Sequence, residues 1–447
     1  MAQTETISSN LQLHGAFDGR RNIYDLSPEK LAALMEEWGE PVYRAKQVLH
    51  WLFKELVHDF SEMSNLPLAL RQKLADNLRV GSAELVAQKI SSDGWTRKEL
   101  LRMRDGNTVE AVLMLYYDRA TVCISSQVGC AMGCTFCATG QMGFTRNLSS
   151  GEIVEQVLWF NRWLRDHPHT PVAERGGRHI GQTTDDRRGT KDGSRRSVVG
   201  RRSSAVRGPD PDSWFSSHEE RKGRQEPITA VTNIVFMGMG EPLVNYNNLW
   251  AAIRLLNSPQ GLGIGARRMT VSTVGIAPVI GKFAREDLSV NLAVSLHAPN
   301  DEVRGSFMPI NHRYPISELM AACRDYVDIT HRRITFEYVL INGVNDSLAH
   351  AEELRSRLRG LLCHVNLIPL NPVPGTGMKA TPREQVYAFQ KTLEDEGIPT
   401  TVRIERGVDI AAACGQLKVE EEPGSKRRSL NPELVQAHVQ SDLAAHA

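Results

Sequence analysis

From Ala120 onward the chain repeats one two-part pattern: a short apolar run, then a longer stretch with apolar residues at helical spacing. The apolar runs fall at residues 120–126, 233–237, 269–273, 290–296, 334–340, 364–368 and 400–404. The helical stretches between them fall at 151–164, 246–257, 276–285, 316–326, 348–358 and 383–396. Such strand–helix repetition argues for a parallel sheet, open or rolled into a full or partial barrel. In folds of this kind the chemistry sits at the carboxyl ends of the strands.

Ahead of the repeat lie two other regions. Residues 1–22 read as a polar arm. Residues 23–82 read as a small helical domain, with Ser27-Pro28-Glu29-Lys30 offering a helix cap and a first-turn proline. Tyr43, Arg44, Lys46, Trp51 and Lys54 of that domain suit either an RNA-facing surface or a solvated helix face. Three strand-like runs at 84–89, 96–103 and 108–116 form a strand-rich extension over 83–119. One segment, 169–227, interrupts the repeat: it is rich in Arg, Gly, Ser and Asp and reads as a disordered insertion. A tail follows Lys418, over residues 419–447.

The chain has no apolar leader-like stretch and nothing approaching the length of a bilayer span, so a cytoplasmic, membrane-free protein is expected. A net charge of +1 means that any nucleic-acid surface is a local patch. Of seven cysteines, three crowd into Cys130-Ala-Met-Gly-Cys134-Thr-Phe-Cys137, directly after the first run. Without an export signal, such crowding points to metal or redox chemistry rather than to disulfides. A structural zinc site needs four ligands, usually as two separated pairs. Three thiolates on one loop, with no nearby histidine, fit an iron–sulfur cluster better, and leave one iron of a four-iron cluster open.

CxxxCxxC with an aromatic before the last cysteine resembles the signature of the radical S-adenosylmethionine (SAM) superfamily. The resemblance implies a partial (β/α)6-type barrel, α/β in class, with a [4Fe–4S] cluster on Cys130, Cys134 and Cys137. It also implies that SAM binds the open iron and is cleaved there to methionine and a 5′-deoxyadenosyl radical. Further motifs follow in order: Asn107-Thr-Val-Glu110, Cys123-Ile-Ser-Ser-Gln-Val-Gly-Cys130, Gly238-Met-Gly-Glu241-Pro-Leu, Ser295-Leu-His297-Ala-Pro-Asn, Asn366-Leu-Ile-Pro-Leu-Asn371-Pro and Ala413-Cys414-Gly-Gln-Leu. Together they resemble the RlmN-type dual-specificity RNA methyltransferases, which modify C2 of adenine in 23S rRNA and tRNA.

That family resemblance implies roles for individual residues. Cys414 would take a methyl group from one SAM. A second SAM would supply the radical that activates the S-methyl group, and Cys123 would resolve the RNA adduct through a transient disulfide with Cys414. Glu110 aligns with the family's proton acceptor, although Cys123 is an alternative acceptor. Gly240, Glu241, Ser272, Ser295, Leu296, His297 and Asn371 match SAM-contacting positions. The expected partners are 23S rRNA, tRNA and an electron donor such as a flavodoxin system, acting on a monomer.

The residues read alone have plainer explanations. Cys123 in a strand and Cys414 after Ala411-Ala412-Ala413 suit small buried hydrophobes, as do Cys323 and Cys363. His297 alone suits a satisfied structural histidine. Two rival functions stay open at this point. One is a Cfr-type enzyme that methylates C8 of the same adenine, and the other is a zinc-stabilised RNA-binding protein without catalysis.

Overall fold

The computed structural model describes residues 4–5, 19–169, 226–372, 376–403 and 416–421. The segment His169–Pro227 separates from the rest of the chain as a unit of its own, over the span where the sequence predicts an insertion; nearly all of it lies outside the described residues. The helices and strands of the fold belong to the other unit, Met1–Pro168 together with Ile228–Ala447.

After the strands β1 (Thr4–Glu5) and β2 (Arg21–Asn22) come three helices: α1 (Pro28–Glu37), α2 (Tyr43–Phe53) and α3 (Leu68–Asn77). The Ser27 side chain accepts the Lys30 N–H at 3.2 Å, and Pro28 opens α1, as the sequence predicts. The predicted arm, 1–22, takes in β2, which pairs in parallel with β3 (Leu78–Arg79) of the helical domain. On α2, Tyr43, Lys46 and Lys54 lie on or just past the exposed face, whereas Trp51 is tied down through its indole N–H to Asn65 Oδ1 at 2.6 Å.

Next come β4 (Glu84–Ile90), β5 (Thr96–Arg102) and β6 (Thr108–Leu115), an antiparallel meander that matches the predicted extension. Strand β6 pairs antiparallel with β7 (Ala120–Cys123), the first strand of the parallel series. Then follow a hairpin, β8 (Gln127–Gly129) and β9 (Phe144–Asn147), holding α4 (Ala138–Met142) between its arms, and the long helix α5 (Ser150–Asp166). A reciprocal cap starts α5: the Ser149 hydroxyl takes the Glu152 N–H, and the Glu152 carboxylate takes the Ser149 N–H. Asp25 Oδ1 accepts the Gly151 N–H at 2.6 Å, and Arg162 donates to the Leu56 carbonyl at 3.0 Å, so the helical domain rests on α5.

The repeat continues as β10 (Asn233–Phe236), α6 (Tyr246–Asn257), β11 (Met269–Thr273), α7 (Ala277–Phe283), β12 (Asn291–Ser295), α8 (Asp301–Phe307), α9 (Ile316–Thr330), β13 (Ile334–Leu340), α10 (Leu348–Leu358), β14 (Cys363–Pro369), α11 (Arg383–Glu394) and β15 (Thr400–Val402). Among the described residues the main sheet runs β1-β4-β5-β6-β7-β10-β11-β12-β13-β14-β15. From β7 to β15 every neighbouring pair is parallel and in sequence order, whereas the far side of β7 carries β6. The barrel is therefore partial. Its first edge is capped by the meander, which leaves no bare edge there.

Register divides the parallel strands into two faces. Val122, Ile234, Phe236, Val271, Val294, Phe336 and Val365 are fully buried on one face. The other face carries the polar residues: Ser295, Glu337, Asn366 and Thr401 are in register across four strands, and Thr270 and Asn291 across two. A strand covered by helices on one side and lining a cleft on the other gives this alternation. A last helix, α12 (Gln416–Glu421), crosses the predicted boundary at Lys418, so the ordered chain does not end there. Among the described residues no helix is long and apolar enough to cross a membrane.

Candidate active site

The carboxyl end of β7 runs into the cysteine loop, and hydrogen bonds fix that junction to the end of β10. The Ile124 N–H donates to the Val235 carbonyl (3.0 Å), the Gly238 N–H to the Ile124 carbonyl (3.0 Å), and the Ser126 N–H to the Met239 carbonyl (2.9 Å). The backbones lie so close that a Cβ on Gly238 would meet Ile124 at 2.7 Å. Gly240 has φ +102° and would place a Cβ 2.6 Å from that of Gln127, so it tolerates no side chain on either count.

Cys130 and Cys134 are buried and Cys137 is half-buried. Burial pushes the Cys130 thiol well above its ordinary range and that of Cys134 up to about 12. Each is raised further by repulsion from the neighbouring sulfurs. Three thiols in one electrostatic neighbourhood, with Cys130 and Cys134 disfavoured as lone thiolates, are a donor set that a cationic centre would deprotonate. Among the described residues no three Cys, His, Asp or Glu side chains form a site that could hold a metal ion. Cluster ligands need not converge on one point, because each binds a different iron. The donor set thus fits a three-cysteine iron–sulfur cluster, and does not form the tetrahedral cage of a structural zinc site.

Around this loop the rim gathers the other predicted positions. Glu241 is buried; its Oε1 accepts the Leu243 N–H at 3.0 Å and its Oε2 the Val274 N–H at 2.8 Å. Burial outweighs these bonds and raises its carboxyl to about 7. Ser295 lies on the polar face at the end of β12, and Ser272 is the register partner of Ala293, two residues before it on that strand. His297 is a left-handed residue (φ +58°) whose Nδ1 accepts the Val339 N–H at 3.0 Å. Its ring meets Phe136 of the cysteine loop edge-on, with centroids 5.1 Å apart. Burial and then the charge of Arg304 lower its pKa to about 3, so it is a neutral imidazole. Asn371 is half-buried just past the end of β14.

Cys123 lies beside Val235 of β10 and opposite Val112 of β6, so it is on the polar face. Cys414 lies outside the described residues. Helix α12, which starts two residues later, docks on the same face of the meander: Leu417 packs on Ala87 and Leu100, and Lys89 pairs with Glu420. Gln416 Nε2 reaches the Pro372 carbonyl at 3.3 Å, next to Asn371. Glu110 meets this helix directly. Its Oε1 accepts the Lys418 N–H at 2.7 Å and its Oε2 pairs with Lys98 Nζ at 3.0 Å, with both members of the pair at most 2% exposed. The predicted proton acceptor is therefore held by a buried ammonium and a helix end.

Sequence reading missed three side chains that hold the rim. Lys98 is one. Asn345, fully buried, donates to the carbonyls of His297 (2.7 Å) and Val339 (2.6 Å) and accepts the Ile341 N–H (2.7 Å), which locks the left-handed turn at His297. Arg304, on α8, donates to the carbonyls of Val274, Ser295 and Leu296. Asn300 followed by Asp301 and Glu302 is a helix-start signal that would have located α8.

An open parallel barrel in strand order, with a three-cysteine loop after its first strand, is the radical SAM fold. A crystal structure of a radical SAM methyltransferase from Sphaerobacter thermophilus superposes on the chain with a TM-score of 0.73 and 45% identity, covering 89% of this chain and 98% of that one. Residues 21–80 match the ribosomal RNA large subunit methyltransferase N-terminal domain. A probable dual-specificity RNA methyltransferase RlmN from Roseiflexus castenholzii is 46% identical, covering 89% of this chain and 95% of the relative. One from Chloroflexus aurantiacus is 45% identical over 91% and 94%. The chain belongs to the RlmN family of dual-specificity RNA methyltransferases.

Proposed function

We propose that this enzyme methylates C2 of adenine in 23S rRNA and in tRNA by radical chemistry, using a [4Fe–4S] cluster on Cys130, Cys134 and Cys137 and two molecules of SAM per turnover. The observation that supports this most is the three-thiol loop, with Cys130 and Cys134 buried and Cys137 half-buried, at the carboxyl rim of a parallel barrel. C2 of adenine lies between two ring nitrogens and has no lone pair, so ordinary methyl transfer fails and a carbon radical is needed. The cluster and SAM, when bound, supply that radical.

The chain's own residues do the rest. Glu241, near the sulfurs of Cys130 and Cys134, would hold the SAM ammonium as a carboxylate. Gly240, Ser272, Ser295, Leu296, His297 and Asn371 would line the remainder of the SAM site. With Nδ1 engaged, His297 offers Nε2–H as a donor, and as a neutral ring it adds no charge beside the sulfonium. Cys414 would carry the methyl group as a thioether. Cys123 would then attack the Cys414 sulfur, forming a disulfide as the bond from sulfur to the RNA-linked carbon breaks. Glu110 is engaged on both oxygens, so acceptance of the C2 proton requires release of the Lys418 N–H or the Lys98 ammonium. Cys123, on the same polar face, is the alternative acceptor.

The test is anaerobic turnover of the iron- and sulfide-reconstituted enzyme with reductant, SAM and unmodified 23S rRNA fragment or tRNA. The expected products are 5′-deoxyadenosine and 2-methyladenosine, with neither from Cys130→Ala. Formation of 8-methyladenosine alone would move the assignment to the C8 reaction. Iron-free protein with no SAM cleavage would overturn it.

A further inference from the structure

Arg304 is fully buried, yet its guanidinium faces no anion at hydrogen-bonding distance. Among the described residues it forms no ion pair with a carboxylate, and its four hydrogen bonds all end on neutral acceptors. Nε donates to the Leu296 carbonyl (3.0 Å), Nη1 to Asn311 Oδ1 (3.0 Å), and Nη2 to the carbonyls of Val274 (2.6 Å) and Ser295 (3.2 Å). Asp301, on the same helix, has its Oδ1 on the Ile316 N–H instead. A buried cation is costly unless an anion compensates it.

The cysteine loop is where an anion would form: Cys134 and Arg304 are electrostatic neighbours, and cluster binding would turn the buried thiol into a thiolate. The helix that carries Arg304 also touches the loop, because the Phe307 carbonyl accepts the Thr135 N–H at 3.0 Å. Four hydrogen bonds fix the planar fork, so the charge cannot swing toward solvent.

We propose that Arg304 is a positioning residue that supplies the buried counter-charge to an iron–sulfur cluster on Cys130, Cys134 and Cys137 and thereby raises its reduction potential. The inference rests on the three-cysteine cluster of the proposed function. Adding an electron makes a thiolate-ligated cluster more negative, and a fixed cation nearby stabilises that state over the oxidised one. The same fork holds the carbonyls that follow β11 and β12, so charge and rim geometry reside in one side chain.

The test is a redox titration of the full-length, anaerobically loaded protein, followed by electron paramagnetic resonance, with iron and sulfide content measured alongside. Arg304→Gln removes the charge. Asn311→Asp leaves the guanidinium in place and neutralises it with a side chain of the same shape, so it serves where Arg304→Gln fails to fold. At the potential where the wild type is half reduced, both variants are expected to show a reduced-to-oxidised ratio about tenfold lower, equivalent to about 59 mV for one electron. Arg304→Lys, which keeps the charge, is expected to stay within about twofold of the wild type. A fully loaded Asn311→Asp cluster with the wild-type ratio would overturn the proposal, as would an Arg304→Lys shift as large as that of Arg304→Gln. Wild-type protein that takes up no iron would overturn the cluster reading itself, and a loaded cluster with unshifted variants only this inference.

Discussion

Replacing His297 by asparagine should remove a defined part of the acid sensitivity of folding. In the folded chain burial, and then the Arg304 charge, hold the His297 pKa at about 3, against an ordinary 6.5. The folded state therefore stays neutral there while the unfolded chain takes a proton. Because the folded pKa is depressed, this stabilisation is fully present above pH 6.5 and is lost as pH falls from 6.5 toward about 3. At about 1.4 kcal/mol per pH unit, the loss between pH 7.5 and pH 5 is about 2 kcal/mol. Asparagine is the right probe. It tolerates the left-handed backbone at this position (φ +58°), and its Oδ1 can accept the Val339 N–H that Nδ1 accepts now. Urea unfolding of the full-length, cluster-free chain at the two pH values gives the answer, since only the difference between the pH slopes matters and the cost of losing the ring cancels. Equal slopes for wild type and variant would refute the buried neutral imidazole.

Three other substitutions probe the rim. Glu241→Gln should change the slope the opposite way: the folded carboxyl sits near 7, so its proton-linked stabilisation is present below pH 4.5 and is lost as pH rises through about 7. Over pH 5 to 7.5 the wild type should lose about 2 kcal/mol relative to that variant, and SAM should bind the wild type more tightly as pH rises from 6 to 8, read by calorimetry. Lys98→Met should destabilise by about 3–5 kcal/mol, because it strands a buried carboxylate, and Lys98→Met/Glu110→Gln should recover part of that loss in urea titrations. Gly240→Ala should cost at least about 1–3 kcal/mol in thermal unfolding and weaken SAM binding, since it adds a Cβ at positive φ against Gln127; a fully stable variant with wild-type SAM affinity would count against the close approach.

The parallel strands and the meander were legible because their apolar periods are long and bounded. The 108–116 run, for example, became Thr108–Leu115. The β8–β9 hairpin was not, because three residues inside a glycine-containing loop carry no period. Helix α8 is seven residues long, too short for a face to show, and only its Asn300-Asp301-Glu302 start marks it in the sequence. The rim positions came from motif order and not from physics visible in one sequence: a serine on β12 reads the same whichever face it lines, and only register shows that it belongs to the polar one. Arg304 and Lys98 were unreadable for a sharper reason. Charged residues are normally solvated, and nothing local marks the ones that are fully buried. The role expected for Glu110 rested on alignment alone, and the structure adds an ammonium and a helix end to its carboxylate.

The bond between Glu110 and Lys418 spans 308 residues. During synthesis at about 5–20 residues per second, the meander and the cysteine loop leave the ribosome roughly 15–60 s before the helix that docks beside them. Throughout that interval Glu110 lacks the Lys418 N–H, and Ala87 and Leu100 lack the Leu417 side chain that packs on them. A chain cut short just before residue 416 would keep its cysteines and every described strand, yet leave the Glu110–Lys98 pair without the helix end that completes it.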